Sequence, residues 1–212
     1  LGLVIIDEQH KFGVKQRINF AKKGGSNCDV LLMSATPIPR TMMMSTYGDM
    51  DTSRLMEKPI QRKKTITLSK PENKINDLWP FIKRKIENRE QIFWVCPLIE
   101  DSNKLDFSST AKIFTLLSKK FNKRVGIIHG ALDQNEKENV LKEFLNNKIS
   151  ILVSTTVIEV GIDFPNATVI IIENANKFGL AQLHQLRGRI GRGKKPGTCI
   201  LMFKNQLSQN AR

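Results

Sequence analysis

Short apolar runs rich in β-branched residues alternate with amphipathic stretches along this chain, and this alternation limits the fold more than any other feature. It predicts parallel strands covered by helices on both faces, because parallel strands need crossover connections. The predicted strands are 3–6, 30–33, 92–96, 124–128, 151–154, 169–172 and 199–203, and the predicted helices are 41–47, 74–88, 110–121, 134–146 and 181–189. The sequence therefore predicts an α/β fold.

A polar stretch divides these elements into two groups. It covers residues 58–70, contains Pro59 and several lysines, and is typical of a linker or crossover. Residues 1–57 hold only two of the predicted strands, whereas residues 71–212 hold the other five. We expect a partial first domain followed by a nearly complete second one. Because the first residue already adjoins a strand, we also expect the chain to be a fragment.

Composition excludes several classes of protein. The apolar fraction of 40% is enough to bury a core, and no run approaches the roughly 20 apolar residues of a membrane span. Without a basic-then-apolar start, a cytoplasmic location is expected. Cys28, Cys96 and Cys199 are odd in number and lie in apolar segments, which favours buried thiols over disulfides or zinc ligands.

The net charge of +14 favours a polyanionic partner such as nucleic acid. Charge alone is weak evidence, because lysine is abundant throughout the chain and a merely basic surface gives the same number.

Two adjacent carboxylates, Asp7 and Glu8, follow directly on the first predicted strand. Ligands of open α/β sheets gather at the carboxyl ends of strands, where such a pair can hold Mg²⁺ and activate a water molecule. A solvated turn is the alternative. After the second strand, the hydroxyls of Ser34 and Thr36 can hydrogen-bond back to these carboxylates and report whether a γ-phosphate is present.

Hydroxyl residues also follow the strand at 151–154. Thr155 and Thr156 can contact a nucleic-acid phosphate, while Gly161 permits a tight turn that presents Asp163 toward a ribose. By contrast, Asp133 and Glu136 have the spacing of a capping box at the start of a helix, and that segment can be wholly structural.

Three arginines, Arg187, Arg189 and Arg192, fall within six positions near the end of the chain. Guanidinium groups suit a bidentate grip on phosphoryl oxygens, and a helical start would direct Arg189 and Arg192 to one side. An RNA-binding or disordered tail is the alternative. Regularly spaced apolar residues in 180–190 argue against disorder.

Taken together, these segments closely resemble superfamily 2 helicases, and among them the RecG-type branched-DNA helicases. The matching text includes Asp7-Glu8-Gln9-His10, Ser34-Ala35-Thr36, Pro37-Ile38-Pro39-Arg40-Thr41, residues 155–163, and Phe178-Gly179-Leu180-Ala181-Gln182 running on to Arg192. Transcription-repair coupling translocases are the nearest rival. They are expected to carry Glu where Gln9 stands, so Gln9 favours the RecG-type side.

The resemblance implies RecA-like sheets and a set of site residues. In the catalytic group, Asp7 holds the water shell of Mg²⁺, Glu8 activates the attacking water, and Arg189 and Arg192 stabilise the transferring phosphate. Coupling is implied for Gln9, His10, Ser34, Thr36 and Gln185. Nucleotide contact is implied for Gly161 and Asp163, and DNA contact for Thr155, Thr156 and Arg40. The implied cofactors are ATP and Mg²⁺, and the implied partners are branched DNA and an amino-terminal helicase portion.

One departure from the family limits these expectations. No glycine-rich loop ending in Lys followed by Ser or Thr occurs in these residues, and the near match at Gly188 to Lys194 fails because Lys195 replaces the hydroxyl. Tight ATP binding by this polypeptide alone is therefore not expected. Three hypotheses stay open: part of a helicase that needs the upstream portion, a nucleic-acid-binding module without ATPase activity, and a non-functional remnant.

Overall fold

The structure is a computed structural model that describes residues 2–7, 28–34, 51–57, 63–97, 103–155 and 163–204, together with Asn19. Of residues 103–109 only the backbone is described. The chain divides into two compact units, residues 1–57 and 58–212. The predicted helix at 41–47 lies outside the described residues.

In the first unit, two short strands pair in parallel. Strand β1 covers Leu3–Ile6 and β2 covers Asp29–Leu32, in a register that runs from Leu3 opposite Asp29 to Ile6 opposite Leu32. Both strands were predicted. Parallel pairing brings the carboxyl ends of β1 and β2 to the same edge, so the residues that follow them are neighbours.

The second unit is built on one parallel sheet. Its strands are β3 (Ile66–Pro71), β4 (Gln91–Val95), β5 (Val125–Ile128), β6 (Ile151–Ser154), β7 (Ala167–Ile172) and β8 (Thr198–Phe203). The order across the sheet is β3-β8-β7-β4-β6-β5, and every pair is parallel. Later strands add on both sides of β4, and ligands of such sheets bind near the carboxyl ends at this change of direction.

Helices cover both faces of this sheet. They are α1 (Trp79–Glu87), α2 (Asn103–Phe121), α3 (Gln134–Leu145) and α4 (Leu180–Arg187), with 3₁₀ turns at Glu72–Leu78, Asn122–Arg124 and Ala175–Lys177. Residues of α1 and α2 pack in one hydrophobic cluster, and residues of α3 and α4 pack in another.

Successive side chains of the central strands point to opposite faces of the sheet, so they belong to different clusters. In β4, Ile92 and Trp94 belong to the cluster with α1 and α2, whereas Phe93 and Val95 belong to the cluster with α3 and α4. All residues of β4, β6 and β7 are buried. A strand covered on both faces needs an apolar residue at nearly every position, which explains the continuous apolar runs of the sequence.

The structure corrects the predicted linker at 58–70. Residues 66–70 are not linker, because β3 begins at Ile66 and pairs along its length with β8. The strand was missed because it has no continuous apolar run. Ile66 and Leu68 are 57% and 47% exposed, and they alternate with the polar residues Thr67 and Ser69. The second sheet therefore starts before residue 71.

Local hydrogen bonds set the ends of two helices. At the start of α3, Glu136 N–H donates to Asp133 Oδ1 at 2.7 Å and Asp133 N–H donates to Glu136 Oε2 at 3.0 Å, which confirms the predicted capping box. Helix α4 ends at Arg187, where Gly188 N–H bonds to His184 O. Arg189 and Arg192 therefore lie beyond the helix, and the expectation that a helix directs them was wrong.

Two of the three cysteines have the predicted burial, and Cys28 does not. Cys96 and Cys199 are each 1% exposed, and Cys28 is half-buried. Burial raises the pKa of both buried thiols, for Cys199 to about 11, so both are protonated at neutral pH. Among the described residues, no group of three or more His, Cys, Asp or Glu side chains can hold a metal ion.

Within the same part of the chain, none of the helices is both long enough and apolar enough to cross a membrane.

Phe144 is the residue on which we base a test of this core. It is fully buried, and its ring lies 5.3 Å from the rings of both Phe93 and Phe164. Phe144→Ala should lower the free energy of unfolding of the second unit by about 3–5 kcal/mol, because it leaves a cavity among these rings. Chemical denaturation measures this change. Leu180→Ala, at a residue 86% exposed, is the control and should change it by under about 0.5 kcal/mol.

Candidate nucleotide and DNA site

The first unit places two of the predicted residues at one sheet edge. Asp7 follows β1 and Ser34 follows β2 by two positions, and Met33 N–H donates to Ile6 O at 2.8 Å. Both Asp7 and Ser34 are exposed. An exposed carboxylate at the carboxyl end of a strand has the oxygen chemistry that a water-bound Mg²⁺ prefers.

Several predicted site residues lie outside the described residues. These are Glu8, Gln9, His10, Thr36, Arg40, Thr156 and Gly161.

In the second unit, α4 and the turn after it carry the arginine segment. Gly179 N–H donates to Gln182 Oε1 at 3.1 Å at the start of the helix, and Arg189 N–H donates to Leu186 O at 3.0 Å after its end. Leu186 and Ile190 are 2% and 0% exposed and anchor the segment in the core. These apolar anchors hold the backbone that carries the arginines.

Arg192 is held by two contacts. Its Nε donates to Gly188 O at 3.1 Å, and its Nη1 lies 3.5 Å from Asp163 Oδ1. The side chains of Arg192 and Asp163 are 34% and 61% exposed. The sequence assigned both residues to a nucleotide separately, and the structure brings them into contact with each other.

Arg189 lies beside Arg192. Together they line a pocket whose other residues are apolar, namely Phe93, Val95, Phe164, Ile170 and Leu186. No ion pair of Arg189 is found in the part of the chain that the structure describes. A guanidinium above an apolar floor, without a carboxylate to neutralise it, is suited to bind an anion.

Two further predicted residues are less exposed. Thr155 follows β6 and is 3% exposed, so its side chain does not face solvent. Gln185, on α4, is half-buried.

The sequence analysis missed a polar cluster at the carboxyl ends of β4 and β7. Trp94 Nε1 donates to Glu173 Oε1 at 3.0 Å, and Cys96 Sγ lies 3.9 Å from Glu173 Oε2. The missed signal was an acidic residue directly after a wholly apolar run, the same pattern that singled out Asp7. Nearby, Ser154 Oγ and Asn174 Oδ1 are buried with no hydrogen-bond partner among the described residues.

Burial raises the pKa of the Glu173 carboxyl to about 7. The hydrogen bond from Trp94 opposes this rise, and the charge of Glu72 adds to it. The cluster therefore places a carboxyl that titrates near neutral pH at the edge where ligands of such sheets bind.

The second unit is a parallel sheet covered by helices, and its arginine segment lies between β7 and β8 in the chain. This is the arrangement of a RecA-like helicase lobe. The chain belongs to the helicase conserved C-terminal domain family, which matches residues 73–194.

Individual relatives agree with this assignment. The chain is 50% identical, over 204 residues, to the ATP-dependent DNA helicase RecG of Thermotoga maritima, covering 95% of this chain and 26% of the relative. Among solved structures, RecG bound to a three-way DNA junction matches with a TM-score of 0.76 and 44% identity over 100% of this chain and 27% of that one. Saccharomyces cerevisiae Dbp5, at 19% identity and a TM-score of 0.69 over 100% of this chain and 55% of that one, shares the fold.

Glu173 gives the site a measurable pH dependence. Between pH 4.5, the ordinary pKa of the carboxyl, and about 7, the native state keeps a proton that the unfolded state releases. The free energy of unfolding should therefore fall as pH rises through this window, by at most about 1.4 kcal/mol per pH unit.

Glu173→Gln keeps the acceptor for Trp94 but removes the titration, so it should flatten this fall. Denaturant titrations at several pH values measure it, with Glu87→Gln, at an exposed residue of α1, as the control. Equal slopes for Glu173→Gln and the unchanged chain would contradict the assignment.

Proposed function

We propose that these residues are part of an ATP-dependent DNA helicase or translocase that acts on branched DNA, such as a fork or junction, in recombination and repair. The observation that carries the proposal is the pair Arg189 and Arg192, which line one pocket next to Asp163. The 44% identity to a RecG bound to a three-way DNA junction supports the choice of substrate. The chain spans 26% of the length of its Thermotoga maritima relative, so the proposal concerns a larger protein.

In this proposal the two units contribute different chemistry. From the first unit, Asp7 would hold the water shell of Mg²⁺ and Glu8 would activate the attacking water. Ser34 and Thr36, with Gln9 and His10, would sense the nucleotide. Metal-bound ATP supplies the phosphoryl group and its charge. The second unit contributes Arg189 and Arg192 to stabilise that charge, a role that positive groups fill in other ATPases.

The remaining assignments concern the ribose, the coupling and the DNA. Gly161 and Asp163 meet the nucleotide, and Gln185 couples its state to the arginine segment. Thr156 and Arg40 contact the DNA backbone, where the net charge of +14 favours a polyanion, whereas the buried side chain of Thr155 does not support the DNA contact expected of it. We place residues 1–57 and 71–212 in two RecA-like domains of this motor, in the cytoplasm with the chromosome. ATP binding that draws the domains together would convert hydrolysis into movement along DNA.

A second candidate is a nucleic-acid-binding module without ATPase activity. The net charge of +14 favours it, because binding to nucleic acid needs a basic surface but no hydrolysis. A fragment of a transcription-repair coupling translocase is a variant of the first proposal, and substrate preference separates the two.

The test uses the longest natural polypeptide in which these 212 residues occur. ATP hydrolysis is measured with a three-way DNA junction and with a linear duplex of the same base composition. Junction-stimulated hydrolysis is the expected result. Junction binding without hydrolysis would replace the proposal with the second candidate, and neither binding nor hydrolysis would overturn both.

Arg192→Ala should lower kcat for ATP hydrolysis by about 10³-fold, because it removes positive charge from the transferring phosphate. Steady-state kinetics measure the change. Arg84→Ala, at an exposed arginine of α1, is the matched control and should stay within about twofold of the unchanged protein. A loss of less than about tenfold in Arg192→Ala would remove this residue from the proposed role.

Glu8→Gln should abolish turnover and leave nucleotide binding intact, because glutamine keeps the size of the side chain but cannot accept a proton from water. Equilibrium binding of a fluorescent ATP analogue, with a hydrolysis assay beside it, separates the two effects. Glu143→Gln, at an exposed residue of α3, serves as the control. Turnover at the normal rate in Glu8→Gln is the result that would refute the assignment.

A further inference from the structure

Thr65 lies just before β3 and is bound to the segment that carries the arginines. Arg187 Nη2 donates to Thr65 O at 3.0 Å. At the next residue, Ile66 N–H donates to Gly197 O at 2.9 Å. The chain that arrives from the first unit is therefore fastened to both ends of the segment 187–197.

Close packing leaves Thr65 no room to move toward this segment. A Cβ atom added at Gly197 would lie 2.8 Å from Thr65 Oγ1 and 3.2 Å from both Thr65 Cγ2 and Ile190 Cδ1. At Gly191, whose φ of +66° favours glycine, an added Cβ would lie 3.4 Å from Thr65 Oγ1. The Thr65 side chain therefore occupies the space that a side chain at Gly197 would need, and it lies next to the corresponding space at Gly191.

The opposite side of the segment is attached to the sheet and its loops. Gly191 N–H donates to Ala167 O at 3.0 Å, and Gly193 packs against the carbonyl of Pro165 too closely for a side chain. Lys195 Nζ donates to Asn88 O at 3.1 Å and lies 3.7 Å from Glu90 Oε1. The segment is therefore held between these fixed groups and Thr65.

Arg187 depends strongly on this arrangement. Its Nε is buried and has no hydrogen-bond partner among the described residues, while its Nη2 donates to Thr65 O. Loss of the Thr65 acceptor would leave this partly buried guanidinium with a weaker hydrogen-bond environment, so Arg187 and Thr65 should move together. Arg187 precedes Arg189 by only two residues. A movement of Arg187 should therefore also displace Arg189, which lines the pocket.

We propose that Thr65 and Arg187 are positioning residues that link the chain arriving from the first unit to the placement of Arg189 and Arg192. A displacement of the incoming chain is then transmitted through Thr65 to the arginine segment. The proposal rests on the proposed function for what the arginines do, but the mechanical link itself can be measured without ATP.

Gly197→Ala is the main test. The new methyl group should push Thr65 from the segment and loosen residues 188–193, with amide hydrogen exchange there rising by about tenfold. Thr65→Ala removes both Thr65 atoms that the methyl group would meet and leaves the contact with Ile190 Cδ1, so recovery in the double variant measures the part of the effect that passes through Thr65. The double variant should therefore return exchange of residues 188–193 most of the way to that of the unchanged protein.

Gly126→Ala is the matched control, because an added Cβ there would lie 2.8 Å from Ile149 Cδ1, a comparable crowding in the same sheet. It should not loosen residues 188–193 selectively. Unchanged hydrogen exchange of residues 188–193 in Gly197→Ala would overturn the proposal. A change spread over the whole sheet, with no preference for residues 188–193, would overturn it as well. If Gly197→Ala does not fold, Arg187→Gln replaces it. Unchanged hydrogen exchange of residues 188–193 in that variant would also overturn the proposal.

Kinetics of the longest natural polypeptide provide a second readout. Gly197→Ala should lower kcat by about tenfold or more while KM for ATP stays within about twofold, because the arginines act on the transition state. Recovery of kcat in the double variant with Thr65→Ala supports the link, and its absence contradicts it. Failure of the unchanged protein to hydrolyse ATP counts against the proposed function alone, since hydrogen exchange still decides the link.

Discussion

Burial of β4, β6 and β7 on both faces is the constraint on which the rest of the second unit depends. Every residue of these strands is buried, so the sheet faces expose no polar side chain that could bind a ligand. Polar groups are therefore confined to the strand ends and to the loops that follow them. Glu173 and the arginine segment occupy such positions, so the placement of chemistry in this lobe follows from the packing of its core.

The strands with a continuous apolar run were predictable, and the strand without one was missed. Continuous β-branched runs indicated β4 to β8 because such runs are needed where helices cover both faces. Strand β3 is covered on neither face over its first four residues, and its alternating Ile-Thr-Leu-Ser text resembles a polar linker. Only its pairing with β8, far away in the sequence, makes it a strand.

The candidate site divides in the same way. Residue types and their spacing singled out Arg189 and Arg192 as candidates to bind a phosphate, and Asp163 as a candidate to meet a ribose. Their mutual arrangement was not predictable. Asp163 precedes β7 and Arg192 follows α4, so the two side chains meet only in the folded unit. The predicted helix extended too far, because α4 ends at Arg187, but Arg189 and Arg192 still line one pocket from the turn that follows.

The contact between Asp163 and Arg192 has a consequence for how the arginine pocket responds to its surroundings. At 3.5 Å, with both side chains partly in solvent, the attraction between the two charges is weak and is screened by dissolved ions. Ionic strength therefore sets how often Arg192 leaves its carboxylate, and a phosphate that approaches competes with Asp163 for the same guanidinium. The acidic residue thus acts as an internal counter-ion whose hold on Arg192 relaxes as salt concentration rises.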